Sequence, residues 1–312
     1  MTASEFLALW HDPRPYVESL TSGSTGVPKT VRLAKADMVR SARRTNAFFG
    51  LGAGSRFVCP MDFRYIGARM MAVRAVVAGG ELVEVPPSNF FRFDGVADLL
   101  AVVPSQVPCL LDNPDMLVRT RHLIIGGAPL HPDLASRLAA TGVDALTTYG
   151  MTETVSHVAL ARVGDDTYRA LPGITFSVDD RSCLVIGPLV TNDVVRLVSP
   201  TAFQWLGRAD NVINSGGVKI HPEEVEAVLR PLLRRAGIRA DDIVVVGVPS
   251  RKWGSEAVGV VESDTAPDAD SVRRLVAMAR AAGLSPHKTP RRFVATPRIP
   301  RTPNGKIDRT AW

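Results

Sequence analysis

Cysteine is scarce in this sequence, and the spacing of the few cysteines argues against two classes of protein. The 312 residues contain three cysteines, Cys59, Cys109 and Cys183, which lie far apart among apolar neighbours. No CxxC pair and no Cys/His spacing typical of zinc ligands occurs, so neither a disulfide-stapled fold nor a structural zinc site is expected. We expect buried free thiols in a reducing compartment.

Long apolar runs are also lacking. No uninterrupted apolar stretch reaches the roughly 20 residues that a membrane-spanning helix needs. The first residues, MTASEFLALWHDPRPYV, lack the basic start and the continuous apolar core of a signal peptide. We therefore expect a cytoplasmic protein with no membrane partner.

A concentrated charge of one sign is missing as well. The net charge of +6 comes mainly from arginines spread through both halves of the chain, with a modest cluster between residues 291 and 301. Nucleic-acid-binding proteins more often gather such charge on one stripe or tail. Binding of anionic small molecules accounts for the positive charge equally well, so we expect no nucleic-acid partner. A nucleic-acid-binding protein remains an alternative that the net charge alone suggests. The apolar fraction of 46% predicts an ordinary globular core.

Two common catalytic motifs are absent, and a different loop is present. The sequence has neither a GxSxG nucleophile motif nor the GxxxxGK[ST] loop of nucleotide hydrolases. It has instead TSGSTGVPKT near its start, where glycines, hydroxyl residues and a lysine can direct several N–H groups and a cation at one phosphate. A glycine- and serine-rich turn without a ligand is the alternative. The residues expected to contact phosphate are Thr21, Ser22, Gly23, Ser24, Thr25, Gly26 and Lys29.

The order of patterns along the chain predicts two domains. Strand-like runs alternate with helical stretches between residues 56 and 148, which is typical of an α/β sheet covered by helices. One of these stretches, from Ile66 to Ala78, is apolar nearly all round, as expected of a helix inside a layered core. Short alternating segments after Gly173 predict a small β subdomain. A proline-led helix from Pro222, followed by strands and a second helix, predicts a compact α+β region. We place the boundary between residues 207 and 208, giving domains 1–207 and 208–312.

Polar motifs at the ends of predicted strands are candidates for ligand binding. Gly126 and Gly127 follow an apolar strand, where a flat ligand could approach the backbone, although a plain turn explains them equally well. Residues 147–154, TTYGMTET, combine an aromatic ring that can stack on a purine with a carboxylate that can hold Mg²⁺. The alternative for that stretch is a turn whose threonine caps a following helix.

Further candidates occur in the second half of the chain. Asp193 could bind a ribose diol or cap a turn, and Arg208 could pair with it, with a phosphate or with a surface carboxylate. Residues 214–219, NSGGVK, form a second flexible loop with a lysine. Lys306 follows the turn residues Pro-Asn-Gly, and a solvated tail lysine is its alternative.

The succession of these motifs is more specific than any one of them. The chain contains, in order, TSGSTGVPK, GGAP, TTYGMTET, TND, GRADN, NSGGVK and PRTPNGKID. By this succession, from residue 21 to residue 309, it resembles the adenylate-forming superfamily of acyl-CoA synthetases, peptide-synthetase adenylation domains and luciferases. The resemblance implies a large N-terminal α/β domain with layered sheets and helices, a small mobile C-terminal α+β domain, and a hinge at residues 208–211.

The resemblance also implies the reactants and the role of each matching residue. A carboxylic acid and ATP would form an acyl-adenylate with Mg²⁺, and coenzyme A would then take the acyl group. The catalytic residues would be Lys306, Glu153 and Thr152. Lys306 would stabilise charge on the α-phosphate, and Glu153 would hold the metal. Further nucleotide contacts would be Gly127, Ala128, Thr148, Tyr149, Gly150, Met151, Asp193 and Arg208. The hinge and the coenzyme A side would include Asp210, Gly216, Gly217 and Lys219.

Within the superfamily, TTYGMTETVSHVAL and GRADNVINSGGVKIHPEEVE are most similar to a CoA ligase whose substrate has two carboxylates. A cation or hydroxyl should then meet the carboxylate that does not react. Our candidates for this acyl site are Gly126, Arg69, Ser156 and His157. An exposed arginine and a helix-capping serine are the alternatives for Arg69 and Ser156.

Other activities share most of these motifs. An aryl- or acyl-CoA ligase of different specificity, or an adenylating enzyme that loads a carrier protein, would have the same ATP-binding residues. An ATP-binding module without activity would be expected to lack Lys306 or Glu153, and both are present. Homo-oligomerisation is left open by the sequence.

Overall fold

The computed structural model describes residues 1–20, 30–251, 253–301 and 307–312. The predicted phosphate loop, from Thr21 to Lys29, and the predicted catalytic Lys306 lie outside the described residues. The chain forms two compact units, one made of Met1–Thr175 with Ser199–Ala202 and the other of Phe176–Val198 with Phe203–Trp312. The boundary predicted between residues 207 and 208 is a hinge about which two domains would move. A division of the chain into compact units does not test a hinge, so this boundary stays a prediction.

The first unit alternates strands and helices. Its helices are α1 (Ala3–His11), α2 (Lys35–Phe49), α3 (Ile66–Ala78), α4 (Val107–Leu111), α5 (Pro114–Val118) and α6 (Pro132–Ala139). Its strands are β1 (Tyr16–Leu20), β2 (Thr30–Ala34), β3 (Arg56–Cys59), β4 (Glu81–Glu84), β5 (Ala97–Val102), β6 (Thr120–Ile125), β7 (Ala145–Met151), β8 (Ser156–Arg162) and β9 (Thr167–Ala170). Strands β1 and β2 form an antiparallel hairpin, and residues 21–29 join them.

The main sheet of this unit has the strand order β9-β8-β7-β6-β5-β3-β4. Strands β4, β3, β5, β6 and β7 run parallel to one another, whereas β8 runs antiparallel to β7 and to β9. Alternate residues of a strand point to opposite faces. Leu99 and Ala101 of β5 accordingly pack with the α1–α3 core, while Leu100 and Val102 pack with the core that includes α4 and α5. The sheet is therefore covered on both faces.

Helix α3 is buried in the first core from Ala68 to Ala75 and matches its predicted bounds. It is apolar nearly all round, as the sequence predicted for a helix inside a layered fold. It ends at Gly79, which has a left-handed backbone conformation with φ of 67°. This burial forces two arginines of α3, Arg69 and Arg74, into the interior, at 5% and 1% exposure.

The second unit consists of two antiparallel arrangements with helices. Its strands are β10 (Phe176–Val178), β11 (Cys183–Ile186), β12 (Leu189–Ser199), β13 (Ala202–Arg208), β14 (Ile213–Ser215), β15 (Val218–Ile220), β16 (Ile243–Ser250), β17 (Gly254–Glu262) and β18 (Arg292–Thr296). Its helices are α7 (Pro222–Leu229) and α8 (Ala269–Ala281). Strands β10 to β13 follow one another in one sheet, and the second sheet has the order β15-β14-β17-β16, with β18 parallel to β17.

Helices α7 and α8 cover one face of the second sheet. Val225 and Leu229 of α7 and Leu275 and Ala279 of α8 are each fully buried in a core shared with β16 and β17. Together the units confirm the predicted combination of a layered α/β part with a smaller α+β part. Among the residues that the structure describes, no helix has the length and apolarity needed to cross a bilayer.

The packing of α8 gives a first testable prediction. Leu275 is 0% exposed, so Leu275→Ala should lower the free energy of unfolding by about 2–5 kcal/mol through lost burial and the cavity left behind. Chemical denaturation followed by circular dichroism measures the change, and Arg273→Ala, on the exposed face of the same helix, is the control. A Leu275→Ala variant as stable as the control would contradict this packing.

Candidate active site

Strands β7 and β8 hold the predicted adenine and acyl residues in one hairpin. Gly150 of β7 lies opposite His157 of β8, and Met151 lies opposite Ser156. A Cβ atom at Gly150 would stand 2.2 Å from the Ser156 carbonyl oxygen and 2.5 Å from the His157 Cα atom, so only glycine fits. The stretch is thus a strand followed by a turn into a second strand, and the alternative of a capped helix is wrong.

The turn between these strands has a constrained backbone. The Thr154 hydroxyl accepts a hydrogen bond from the Met151 N–H at 2.9 Å and lies 2.7 Å from the Ser156 carbonyl oxygen. Val155 and Ser156 have φ angles of 55° and 79°, a left-handed conformation that is uncommon for residues other than glycine. Such conformations persist only where the surroundings enforce them, and they concentrate at functional sites.

The GGAP and TTYGMTET motifs meet at the ends of neighbouring strands. A Cβ atom at Gly126 would stand 2.4 Å from the Thr148 hydroxyl oxygen, so the chain that follows β6 passes directly over β7. Gly127 has a φ of 90°, which favours glycine. The Tyr149 ring packs against the Tyr168 ring, with 5.8 Å between centroids and a 59° angle between planes. The structure therefore brings together Gly126, Gly127, Thr148 and Tyr149, as the sequence predicted for one ligand; their nucleotide contacts stay predictions.

Arg74 of α3 reaches the start of β8. Its Nη2 atom donates to the Ser156 Oγ atom at 3.3 Å and lies 3.4 Å from His157 Nδ1. Its Nη1 atom lies 3.7 Å from the Met71 sulfur, and its Nε atom is buried without a hydrogen-bond partner in the described part of the chain. Within the described ranges, the hydrogen-bond partners of this fully buried guanidinium are thus all neutral groups.

The hydrogen bonds around His157 define its tautomer. The Thr45 hydroxyl donates to the Ser41 carbonyl oxygen at 3.2 Å and so accepts from His157 Nε2 at 3.0 Å. The Nδ1 atom is then the acceptor that faces Arg74. Burial, and second the charge of Arg74, lower the pKa of His157 well below its ordinary value of 6.5.

Burial also lowers the pKa of the Arg74 guanidinium, to about 9. That value still leaves the side chain charged at neutral pH. A buried charge is costly unless an opposite charge or several hydrogen bonds compensate for it. Arg74 is therefore suited to bind an anionic group of a ligand, with the neutral Ser156 and His157 beside it.

Arg69, the arginine that the sequence analysis selected, has a different environment. Its Nε atom donates to the Phe63 carbonyl oxygen at 2.7 Å and its Nη1 atom to the Glu18 carbonyl oxygen at 2.6 Å. The guanidinium also lies 5.5 Å from the centre of the Phe6 ring. It is buried, so the alternative of an exposed arginine is wrong. Its predicted substrate contact stays a prediction, but main-chain oxygens already occupy its donors.

The residues present fit a magnesium ion held mainly by a nucleotide. Glu153 lies exposed in the turn after β7, and Thr152 beside it is buried. The described residues contain no group of three or more potential metal-ligating side chains. Mg²⁺ in nucleotide enzymes often uses one or two carboxylates together with substrate phosphates and water, so a single exposed Glu153 suits it.

In the second unit, Asp193 and Arg208 lie together as the sequence suggested. Asp193 on β12 is 7% exposed, and its Oδ1 atom accepts from Trp205 Nε1 at 3.2 Å. Arg208 lies 3.6 Å from the same oxygen and donates to Asp210 at 2.7 Å. Asn192 also reaches the Asp210 carboxylate, at 3.3 Å. The predicted hinge residue is thus held by hydrogen bonds and an ion pair.

The predicted coenzyme A loop is a tight hairpin. Gly216 and Gly217 join β14 to β15, with φ angles of 57° and 84°, as a two-residue hairpin turn requires. The Gly216 backbone lies against the Trp253 ring, where a Cβ atom would stand 2.7 Å from a ring carbon. Lys219 follows on β15, and the roles of these residues toward coenzyme A stay predictions.

Comparison with known proteins identifies the family. The model of the AMP-binding enzyme family matches residues 12–203, and the model of the AMP-binding enzyme C-terminal domain matches residues 239–306. Because the first match covers more than half of the chain, this protein belongs to the family of AMP-binding enzymes.

Individual relatives have more specific names. The 2-succinylbenzoate–CoA ligase of Listeria monocytogenes is 23% identical over 98% of this chain and 71% of its own length. A structure described as an acyl-CoA synthetase (AMP-forming)/AMP-acid ligase II-like protein, from Dyadobacter fermentans, is 32% identical over 99% of this chain and 92% of that one, with a TM-score of 0.62. The o-succinylbenzoate CoA synthetase of Bacillus subtilis, solved with its acyl-adenylate, is 21% identical over 94% and 68%, with a TM-score of 0.75. The structural similarity to the Bacillus subtilis enzyme shows that the two proteins share a fold.

The environment of His157 gives a pH prediction. Its folded-state pKa lies below the unfolded value, so the unfolded chain takes up a proton that the folded chain does not. As the pH falls below about 6.5, this residue should therefore lower the free energy of unfolding, by up to about 1.4 kcal/mol per pH unit. In denaturation experiments between pH 7 and pH 5, His157→Gln should show a shallower loss of stability than the unsubstituted protein. The exposed His287→Gln is the control, and equal slopes for His157→Gln and the unsubstituted protein would contradict a neutral, buried His157.

Proposed function

We propose that this protein is an ATP-dependent, AMP-forming acid–CoA ligase that converts 2-succinylbenzoate to its CoA thioester, a step of menaquinone biosynthesis. The observation that carries the proposal is the buried Arg74 guanidinium, which lies among neutral groups next to the hairpin with the predicted nucleotide residues. An aromatic acid with a second carboxylate would supply the missing charge. The family membership and the names of the relatives support the same reaction.

The reaction has two steps that need no covalent enzyme intermediate. One carboxylate oxygen of the acid attacks the α-phosphorus of ATP, and the bond to pyrophosphate breaks. The thiolate of coenzyme A then attacks the acyl carbon of the adenylate, and AMP leaves. Both the acid and ATP are anions, so the enzyme has to offset their repulsion with positive groups and N–H donors.

The residues that match the motifs of the family have the following proposed roles in this reaction. The loop from Thr21 to Lys29 would bind the phosphates, and Lys306 would stabilise the charge that develops on the α-phosphate. Glu153 would hold Mg²⁺, which when bound neutralises phosphate charge. Tyr149 would stack on adenine, and Asp193, oriented by Trp205, would accept hydrogen bonds from the ribose hydroxyls.

Arg74 explains why the second carboxylate matters. A carboxylate next to it would form a charge-assisted, bidentate pair in a site from which water is excluded. The Ser156 hydroxyl can donate to the same carboxylate. His157 stays neutral and adds no competing charge. A substrate without the second carboxylate would leave the guanidinium buried and unpaired, which disfavours its binding.

A product assay tests the proposed reaction. With ATP, Mg²⁺ and coenzyme A, the enzyme should release AMP and pyrophosphate with 2-succinylbenzoate, with a kcat/KM at least about 100-fold above that for benzoate or a fatty acid. Detection of the CoA thioester by mass spectrometry identifies the product. Transfer to a carrier protein with no CoA thioester would favour the carrier-loading alternative, and absence of AMP with every acid would contradict the proposal.

Substitution of Arg74 tests the origin of this specificity. Arg74→Met keeps a long apolar side chain but removes the charge. It should lower kcat/KM for 2-succinylbenzoate by about 30-fold or more, equivalent to a lost buried charge pair of about 2 kcal/mol. 4-Oxo-4-phenylbutanoate and 2-propionylbenzoate each lack one of the two carboxylates of 2-succinylbenzoate. For the analogue that retains the reacting carboxylate, the same variant should change kcat/KM by less than about 3-fold.

Arg69→Met is the matched control for this experiment. It lies one turn and a half away on the same helix and donates to main-chain oxygens. We expect it to lower stability while the ratio of the two substrates stays unchanged. A loss of discrimination in Arg69→Met with none in Arg74→Met would reassign the second carboxylate to Arg69.

A further inference from the structure

The chain enters and leaves the segment 302–306 through two neighbouring residues. Arg301 and Ile307 form an antiparallel bridge, and the Asp308 N–H donates to the Pro300 carbonyl oxygen at 2.9 Å. Ile299 is fully buried with Val244 and Val260, and Ile307 packs against this cluster. The two ends of the segment that contains Lys306 are thus joined to each other and to the second unit.

The C-terminal end is anchored by Arg309. Its Nη2 atom donates to both carboxylate oxygens of Glu226, at 2.7 and 2.8 Å, and its Nη1 atom donates to the Val245 carbonyl oxygen at 3.0 Å. Glu223 lies 3.3 Å from the Nε atom. The side chains of Arg309 and Glu226 are 17% and 3% exposed. Because Nη2, Nη1 and Nε each face a different group, the guanidinium is restricted to one orientation.

The N-terminal end is anchored by Arg301 on a second buried carboxylate. Arg301 pairs with Asp242, whose side chain is 9% exposed, and lies 3.9 Å from Glu262. Arg230 donates to the other Asp242 oxygen at 2.6 Å and lies 3.9 Å from Glu226. The two anchoring carboxylates therefore belong to one connected network.

We propose that Arg309 and Arg301 are positioning residues for adenylate formation: they hold the described residues on either side of Lys306 in the sequence on buried carboxylates, and adenylate formation depends on that anchoring. Lys306 lies directly before Ile307 and three residues before Arg309. This inference rests on the proposed function, in which Lys306 acts in the first half-reaction. A displacement of a reacting group by about 1 Å can cost about 100-fold in rate.

The two half-reactions separate positioning from a merely structural role. Arg309→Met should lower the single-turnover rate of adenylate formation by about 10- to 100-fold. Its rate of thioester formation from supplied acyl-adenylate should stay within about 3-fold of the unsubstituted enzyme. KM values for ATP and acid should change little. Arg309→Lys retains the charge but cannot reach Glu226, Glu223 and the Val245 carbonyl oxygen with separate nitrogens, so it should recover part of the loss. It also keeps the test valid if Arg309→Met does not fold.

A double variant tests whether Arg309 acts through Lys306. If it does, Arg309→Met combined with Lys306→Ala should form adenylate no more slowly than Lys306→Ala alone. Arg292→Met, which removes an exposed ion pair with Glu256 in the same unit, is the control and should leave both half-reactions unchanged.

The outcomes distinguish this inference from the proposed function. Absence of AMP formation by the unsubstituted enzyme would contradict the proposed function. An active enzyme in which Arg309→Met slows both half-reactions equally, or in which the double variant shows additive losses, would overturn the positioning role of Arg309. Arg301→Met should repeat the split between half-reactions, and an unaltered adenylation rate in that variant would remove Arg301 from the proposal.

Discussion

Burial of charge is the constraint on which the rest of this structure depends, because a buried ion needs a compensating group. In the second unit Glu226 has its compensation within the chain, since Arg309 binds both of its carboxylate oxygens. In the first unit the Arg74 guanidinium contacts neutral groups alone among the described residues, and burial lowers its pKa to about 9. The first arrangement pairs two charges within the chain, whereas the second is the charge to which the proposed function assigns the second carboxylate of the substrate.

The backbone around Arg74 complements this charge. Glycine at position 150 lets β8 approach β7 closely, and the left-handed conformation of Val155 and Ser156 closes the hairpin within a few residues. The short hairpin thereby holds Ser156 and His157, at the start of β8, close to helix α3. No long loop has to become ordered there when a ligand binds. Preorganised donors of this kind contribute more to recognition than mobile ones, because less conformational entropy is lost when the ligand binds.

The sequence predicted most of the architecture but only part of the site. Helix α3 matched its predicted bounds because an apolar run ended by Gly79 is unambiguous, whereas β2, with Arg32 between apolar residues, gave no comparable signal. The pairing of Asp193 with Arg208 was anticipated, since both stand in recognisable motifs. Arg74 was missed: within an apolar helix an arginine can extend to solvent, and only the packing of α3 against β8 shows that it does not. The sequence did contain a signal for Arg74: it is the second arginine in a helix, Ile66–Ala78, that has no other charged residue.

The predicted hinge and the anchored tail share one carboxylate. Asn211, next to the hinge residue Asp210, donates to Glu223 Oε1 at 2.5 Å, and the same oxygen lies 3.3 Å from Arg309. The other Glu223 oxygen lies so close to Gly207 that a Cβ atom there would stand 2.4 Å away. A side chain at position 207 would therefore displace Glu223 and disturb both the hinge and the tail. Glycine at that position lets Glu223 contact both Asn211, beside the predicted hinge residue, and Arg309, which anchors the C-terminal tail.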